Sequence, residues 1–249
     1  MNKFGRFLSD KKAPKTKIGK WWQKARKNVF VGFFLDLVTI LGTALVLSLI
    51  LKTFLIRSFF IPSGSMLNTL QIDDRIIVNE LVPNVVPIER GDVVVFKDPG
   101  GWLGPITPKK TNFIVAAGEF VFSAFGFVAP DSDQHLVKRV IGVGGDHVVC
   151  CDASGKLQIN GKSITEPYLA KGTNPSDVKF DVTVPAGTIW VMGDNRGNSE
   201  DSRFHGDLPG KGFVSLKYVV GRAFVVSWPS KHWQWLGNFP DVFKAVPKP

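Results

Sequence analysis

Hydrophobic positions along this chain form one long run followed by many short ones. Val29 to Leu51 is 23 residues with a single charge, Asp36. As a helix it spans about 34 Å, enough for the hydrocarbon core of a bilayer. Its uncharged part, Leu37 to Leu51, is 15 residues. From Ile76 onward the apolar segments are short and rich in Val and Ile: Ile76–Val78, Val93–Phe96, His147–Cys150, Leu157–Ile159, Ile189–Met192 and Tyr218–Val226. Runs of this length, punctuated by Gly and Pro, predict antiparallel strands rather than a helical bundle or a strand–helix alternation. Asn160-Gly161 separates Leu157–Ile159 from Ser163-Ile164, the signature of a tight hairpin. The expected fold class is mainly β, an antiparallel sheet preceded by one N-terminal transmembrane helix.

Two stretches break the rhythm. In the link 99–134, the middle from Asn112 to Ala129 is apolar apart from Asn112, Glu119 and Ser123. It leaves three readings open: a second membrane-dipping segment, a helix on the bilayer surface, or a core hairpin. The C-terminal stretch sets Trp228, Trp233 and Trp235 near Lys231 and His232. Those indoles suit either an outer-leaflet contact or an aromatic closing of the core.

Charge changes the picture of the N-terminus. The net charge is +10, yet residues 1–28 hold ten Lys/Arg and one acid, Asp10. The basic character belongs to a tail and not to the body, which argues against nucleic-acid binding by the body. The tail is otherwise poor in apolar periodicity, so no regular structure is expected in it; Trp21-Trp22 suit the headgroup level. A basic flank before the apolar run predicts a cytoplasmic N-terminus, with everything after Arg57 outside. A cleaved signal peptide has the same order of regions, but here Lys52, Thr53 and Arg57 follow the run instead of a small-x-small site. An uncleaved anchor is expected.

The two cysteines, Cys150 and Cys151, are adjacent. Neighbouring Cα atoms about 3.8 Å apart fall short of the usual disulfide range, so a bond between them is expected to be strained. They read as two small apolar strand residues or as a redox-sensitive pair on the outer membrane face. No metal-ligand spacing is present.

Candidate chemistry starts at Pro62-Ser63-Gly64-Ser65-Met66, where Pro and Gly hold a serine on a constrained turn. Amide hydrolysis needs a nucleophile, a base within reach and donors for the developing oxyanion. Four histidines are present (His135, His147, His205 and His232), but no Gly-x-Ser-x-Gly elbow accompanies them. Three further stretches matter: Gly91–Phe96 (GDVVVF), Lys138–Asp146 (KRVIGVGGD) and Gly193–Arg203 (GDNRGNSEDSR). With the serine turn and Thr69-Leu70, they resemble the ordered sequence boxes of bacterial type I signal peptidases. Those are membrane-bound serine proteases with a lysine as general base. The resemblance covers roughly residues 30 to 228.

That resemblance implies Ser65 as nucleophile and Lys138 as base. It also implies an oxyanion hole from the Ser63 hydroxyl and the Ser65 backbone N–H. Ser199 would orient the Lys138 amine. Asp194, Arg196, Asp201 and Arg203 would support the site, Asp201 and Arg203 as an ion pair. A free lysine titrates near 10.4, so Lys138 must lose about 2–3 units by desolvation to serve as a base near neutrality. Val137, Val140 and Ile141 around it, and Phe59, Phe60 and Met66 near the serine, can supply apolar surroundings. On a strand, Arg139 would face the other way.

The implied layout is a basic cytoplasmic tail (1–28), an anchor (29–52), a catalytic β domain (58–146 and 188–228), an inserted smaller β domain (147–187) and a C-terminal tail (229–249). Two positions depart from the family pattern. Asn68 stands where Pro is common, which is expected to loosen the turn after the nucleophile. Gly144 replaces the Pro of Gly-x-Pro-Gly-Asp. The implied partners are preprotein signal peptides with small residues at P1 and P3, and the bilayer; no cofactor, metal or nucleic acid is implied. Three rivals stand beside this reading. They are a catalytically inactive membrane-anchored binding module, a His-dependent serine hydrolase, and a self-cleaving repressor-type peptidase, whose DNA-binding domain is replaced here by the apolar run.

Overall fold

The computed structural model describes residues 29–104 and 134–249. The basic tail with Trp21-Trp22 and the apolar link Asn112–Ala129 lie outside the described residues. The chain divides into two compact units, Met1–Ile50 and Leu51–Pro249. Helix α1 runs Val29–Phe54, and its stretch Val29–Ser48 has a mean hydropathy of 2.3 with exposed side chains almost throughout. It is apolar all round and long enough to cross a membrane.

The second unit is built from antiparallel strands, as the short apolar runs predict. They are β1 (Ile56–Phe60), β2 (Arg75–Asn79), β3 (Val93–Lys97), β4 (His135–Val143), β5 (His147–Cys150), β6 (Leu157–Ile159), β7 (Lys162–Ser163), β8 (Phe180–Thr183), β9 (Thr188–Met192), β10 (Val214–Ser215), β11 (Val219–Trp228) and β12 (Gln234–Trp235). Among the described residues the larger sheet has the order β1-β2-β11-β3-β4-β9-β10, with β12 also on β11; the smaller is β7-β6-β5-β8. Asn160-Gly161 does close a two-residue hairpin between β6 and β7, both residues at positive φ (51° and 75°), as that turn requires.

Burial explains why β3 reads as a continuous Val run. Val93 and Val95 enter one core with Phe59, Met66, Leu70 and Ile76, while Val94 and Phe96 enter another with Trp102, Leu136 and Val191. A strand covered on both faces has no polar side to alternate with. A third core joins the two sheets, with Ile141, Trp190 and Met192 against Val148, Leu157 and Ile159. Phe243 and Val246, near the C-terminus, belong to it. Gly142 lies at a β-bulge of β4 there, where a Cβ would press on Val148 and Val184.

The structure narrows two readings that the sequence left open. Trp228, Trp233 and Trp235 are each more than half exposed, so they do not close the core; Phe243 and Val246 fill that role. Cys150 and Cys151 form a disulfide, and their Cα atoms are 3.0 Å apart across a cis peptide bond. The expected spacing of 3.8 Å assumed a trans bond.

Candidate active site

The turn that carries Ser65 is fixed before any chemistry is considered. Strand β1 ends at Phe60, and Ile61 then exchanges hydrogen bonds with the far side of the loop: its N–H donates to the Asp74 carbonyl (2.9 Å) and its carbonyl accepts from Asp73 (3.0 Å). Gly64–Met66 forms one tight helical turn closed by Leu67 N–H on the Gly64 carbonyl (3.1 Å). Met66, fully buried, anchors the turn in the core below Ser65. Transfer of Met66 to solvent would cost about 2–3 kcal/mol, so the turn is not free to drift.

Lys138 reaches this turn from β4. Its Nζ lies 2.8 Å from Ser65 Oγ. Ser63 Oγ, the outer member of the Ser-Gly-Ser turn, stands 3.4 Å from the same oxygen. The lysine is 4% exposed, and burial lowers its pKa from 10.5 to about 8. The negative charges of Asp201, Glu200 and Asp194 oppose that shift, and Arg203 adds to it. Burial wins because none of those carboxylates meets the amine directly; its partner is the serine. A cleft opens beside the pair, walled by Ile61, Pro62, Met66, Leu103, Leu136 and Val137, with His135 at one side.

Behind the pair is a polar layer centred on Asp201, which is fully buried. Its Oδ2 accepts from Gly193 N–H (2.9 Å), the Ser199 hydroxyl (2.8 Å) and Arg203 Nη2 (2.8 Å), while Oδ1 accepts from Arg203 Nε (2.8 Å). The Asp201–Arg203 ion pair implied by the boxes is therefore present and bidentate. Asp194 and Arg196 do not pair with each other. Asp194 takes Arg139 bidentately (2.8 and 2.6 Å) and also accepts from Thr69 Oγ1 (2.5 Å). Arg196 binds Glu166 through two nitrogens (3.0 and 2.5 Å). Gly193 separates the two halves of the site: a Cβ there would collide with Ser199 Oγ and the Ser65 carbonyl oxygen.

A nucleophile, a desolvated amine and two neighbouring donors fit acyl transfer by a Ser-Lys pair. Comparison with known proteins gives the family. Residues 34–228 match the family model for signal peptidase, peptidase S26. The chain belongs to the signal peptidase family. It is 39% identical over 217 residues to a probable signal peptidase I of Mycobacterium leprae, covering 76% of this chain and 74% of the relative. It is 39% identical over 210 residues to signal peptidase I of Mycobacterium tuberculosis, covering 76% and 71%. Against signal peptidase I of Leptolyngbya laminosa the figures are 33% over 202 residues, 81% and 83%. Membership makes the chain a serine endopeptidase, acting on peptide bonds.

Within this signal peptidase fold, the two departures from the family boxes have physical explanations. Asn68 sits at φ 86°, which a proline ring cannot adopt, and its side-chain amide donates to the Tyr168 carbonyl (2.8 Å). The turn is tied down by a different bond, not loosened. At Gly144 a Cβ would lie 3.0–3.2 Å from the backbone of Pro185, Ala186 and Gly187, so the site has little room for a side chain.

Of the residues singled out in the sequence, Lys138 and Ser63 both lie within hydrogen-bond reach of Ser65 Oγ, at 2.8 and 3.4 Å. Four further residues hold the site and were given no role from the sequence: Arg139, Thr69, Glu166 and Asn195. Arg139 was placed on the opposite face of β4 without a role, yet it is fully buried against Asp194 with its guanidinium 4.2 Å from the centre of the Tyr168 ring. An arginine inside an apolar run was the available signal, since such a charge needs a partner. Glu166 carried no signal of its own.

Proposed function

We propose that this chain removes signal peptides from exported preproteins by a Ser-Lys dyad mechanism. Neutral Lys138 takes the proton of Ser65 Oγ as that oxygen attacks the scissile carbonyl. The carbonyl oxygen becomes an oxyanion between the Ser65 backbone N–H and the Ser63 hydroxyl. Lys138 then protonates the leaving amine, and an acyl group remains on Ser65. Water, deprotonated by Lys138 in its turn, releases the signal peptide. Ser199 donates a hydrogen bond to Asp201 Oδ2. That leaves its oxygen as an acceptor, through which it would orient an N–H of the Lys138 amine.

Substrate lies extended beside a strand, with backbone pairing for affinity and the apolar cleft taking small residues at P1 and P3. Helix α1 is the membrane anchor, with the basic tail cytoplasmic and the catalytic unit on the outer face. Residues 58–146 and 188–228 act as the catalytic domain and 147–187 as an insert.

The observation that carries this reading is a buried lysine whose amine meets a serine hydroxyl. A synthetic signal peptide ending Ala-x-Ala, offered in detergent to wild type, Ser65→Ala and Lys138→Met, tests it. Cleavage after the second Ala by wild type alone supports the dyad. Full activity in Lys138→Met would contradict it.

A further inference from the structure

We infer that Asn195 is a positioning residue that aims the Ser65 backbone N–H into the oxyanion hole; this rests on the function proposed above. Asn195 occupies the N-cap of the turn Arg196–Asn198, yet its side chain makes no capping bond there. An asparagine at an N-cap ordinarily accepts from its own turn. Here the side-chain amide reaches across and donates to the Gly64 carbonyl at 2.9 Å. The backbone N–H of the same residue donates to the Ser65 carbonyl at 3.1 Å.

Those two carbonyls belong to the two peptide units that flank Ser65. The Gly64 carbonyl and the Ser65 N–H share one rigid plane and point in opposite directions, so fixing the oxygen fixes the direction of the N–H. Hydrogen bonding at that oxygen also polarises the amide and makes its N–H a better donor. Leu67 N–H uses the other lone pair of the Gly64 oxygen, but it moves with the turn. Asn195 belongs to a different segment, held by Gly193 against Ser199 and by Asp194 against Arg139. Among the described residues, it alone refers the peptide plane to the fixed polar layer.

The test compares a peptide aldehyde with an uncleavable peptide of the same sequence, in wild type, Asn195→Ala and the similarly shaped Asn195→Leu. The aldehyde forms a hemiacetal with Ser65 Oγ and places an oxygen in the hole; the uncleavable peptide only fills the cleft. We expect kcat and aldehyde affinity to fall together by about tenfold in both variants, with KM and uncleavable-peptide affinity held and Tm lowered by only about 2–4 °C, the loss of one hydrogen bond. Equal losses for aldehyde and uncleavable peptide, or no loss of either, would overturn the inference. Should one variant not fold, the other carries the comparison. Ser65→Ala is run alongside. If it still cleaves, the nucleophile assignment fails, a result separate from any outcome at Asn195.

Discussion

Two neighbours on β4 show opposite ways of burying a positive charge. On the cleft side, the amine of Lys138 meets a hydroxyl, and among the described residues no carboxylate pairs with it. One residue further on, Arg139 is wholly buried with a bidentate carboxylate, the Gly91 carbonyl (2.7 Å) and the Tyr168 ring around it. Lysine can respond to burial by giving up its proton; arginine cannot, and must be matched. The fold uses each for what its chemistry allows. The unmatched side is poised to accept a proton, and the matched side is a strut that holds Asp194, and through it Thr69, near the nucleophile turn.

That contrast is broken most severely by Lys138→Met. Loss of the base should reduce kcat/KM by about 10⁴-fold. The same change should raise stability near neutral pH. The sign follows from the pKa being near 10.5 unfolded and about 8 folded. Below pH 8 both states hold the proton, and the folded state carries a burial cost of about 3 kcal/mol. That cost fades as pH rises from 8 toward 10.5, so wild type should gain stability over that window and Lys138→Met should not. Denaturant midpoints at pH 7 and 10 check both statements.

The identical substitution next door should act in reverse. Arg139→Met leaves Asp194 buried without its counter-charge and should cost about 3–5 kcal/mol, read as a lower Tm, with activity lost through misplacement of the turn. Asn68→Pro, although it restores the residue common in the family, should destabilise by about 2 kcal/mol. It forbids φ 86° and removes the bond to Tyr168. Thr69→Val trims the matched side by one hydrogen bond and should cost about 1.5 kcal/mol in Tm-derived stability, with a small change in kcat.

What was legible beforehand was local in sequence. The Val and Ile runs became strands because period and β-branching act over a few residues, and Asn160-Gly161 turned where its own φ preferences demand. Ser65 and Lys138 stand out because each sits inside a compact run of diagnostic residues, and their side chains meet at 2.8 Å. The partners were not. Glu166 pairs with Arg196 from 30 residues away, and nothing near Glu166 announces it. Asn195 drew no reading of its own because its role depends on which carbonyls stand opposite. Asn68 read as a defect because its φ is set by the loop around it. Whether the adjacent cysteines are bonded stayed open, because a cis peptide leaves no trace in composition.

The central claim is that Lys138 works as a neutral base because burial leaves it unmatched. The pH dependence of kcat/KM on an Ala-x-Ala signal peptide, from pH 6 to 10, tests it most directly. The account predicts a rising limb with an apparent pKa near 8, the value that burial gives Lys138. A limb near 6.5, persisting with undiminished rate in Lys138→Met, would assign the base to a histidine and contradict the account.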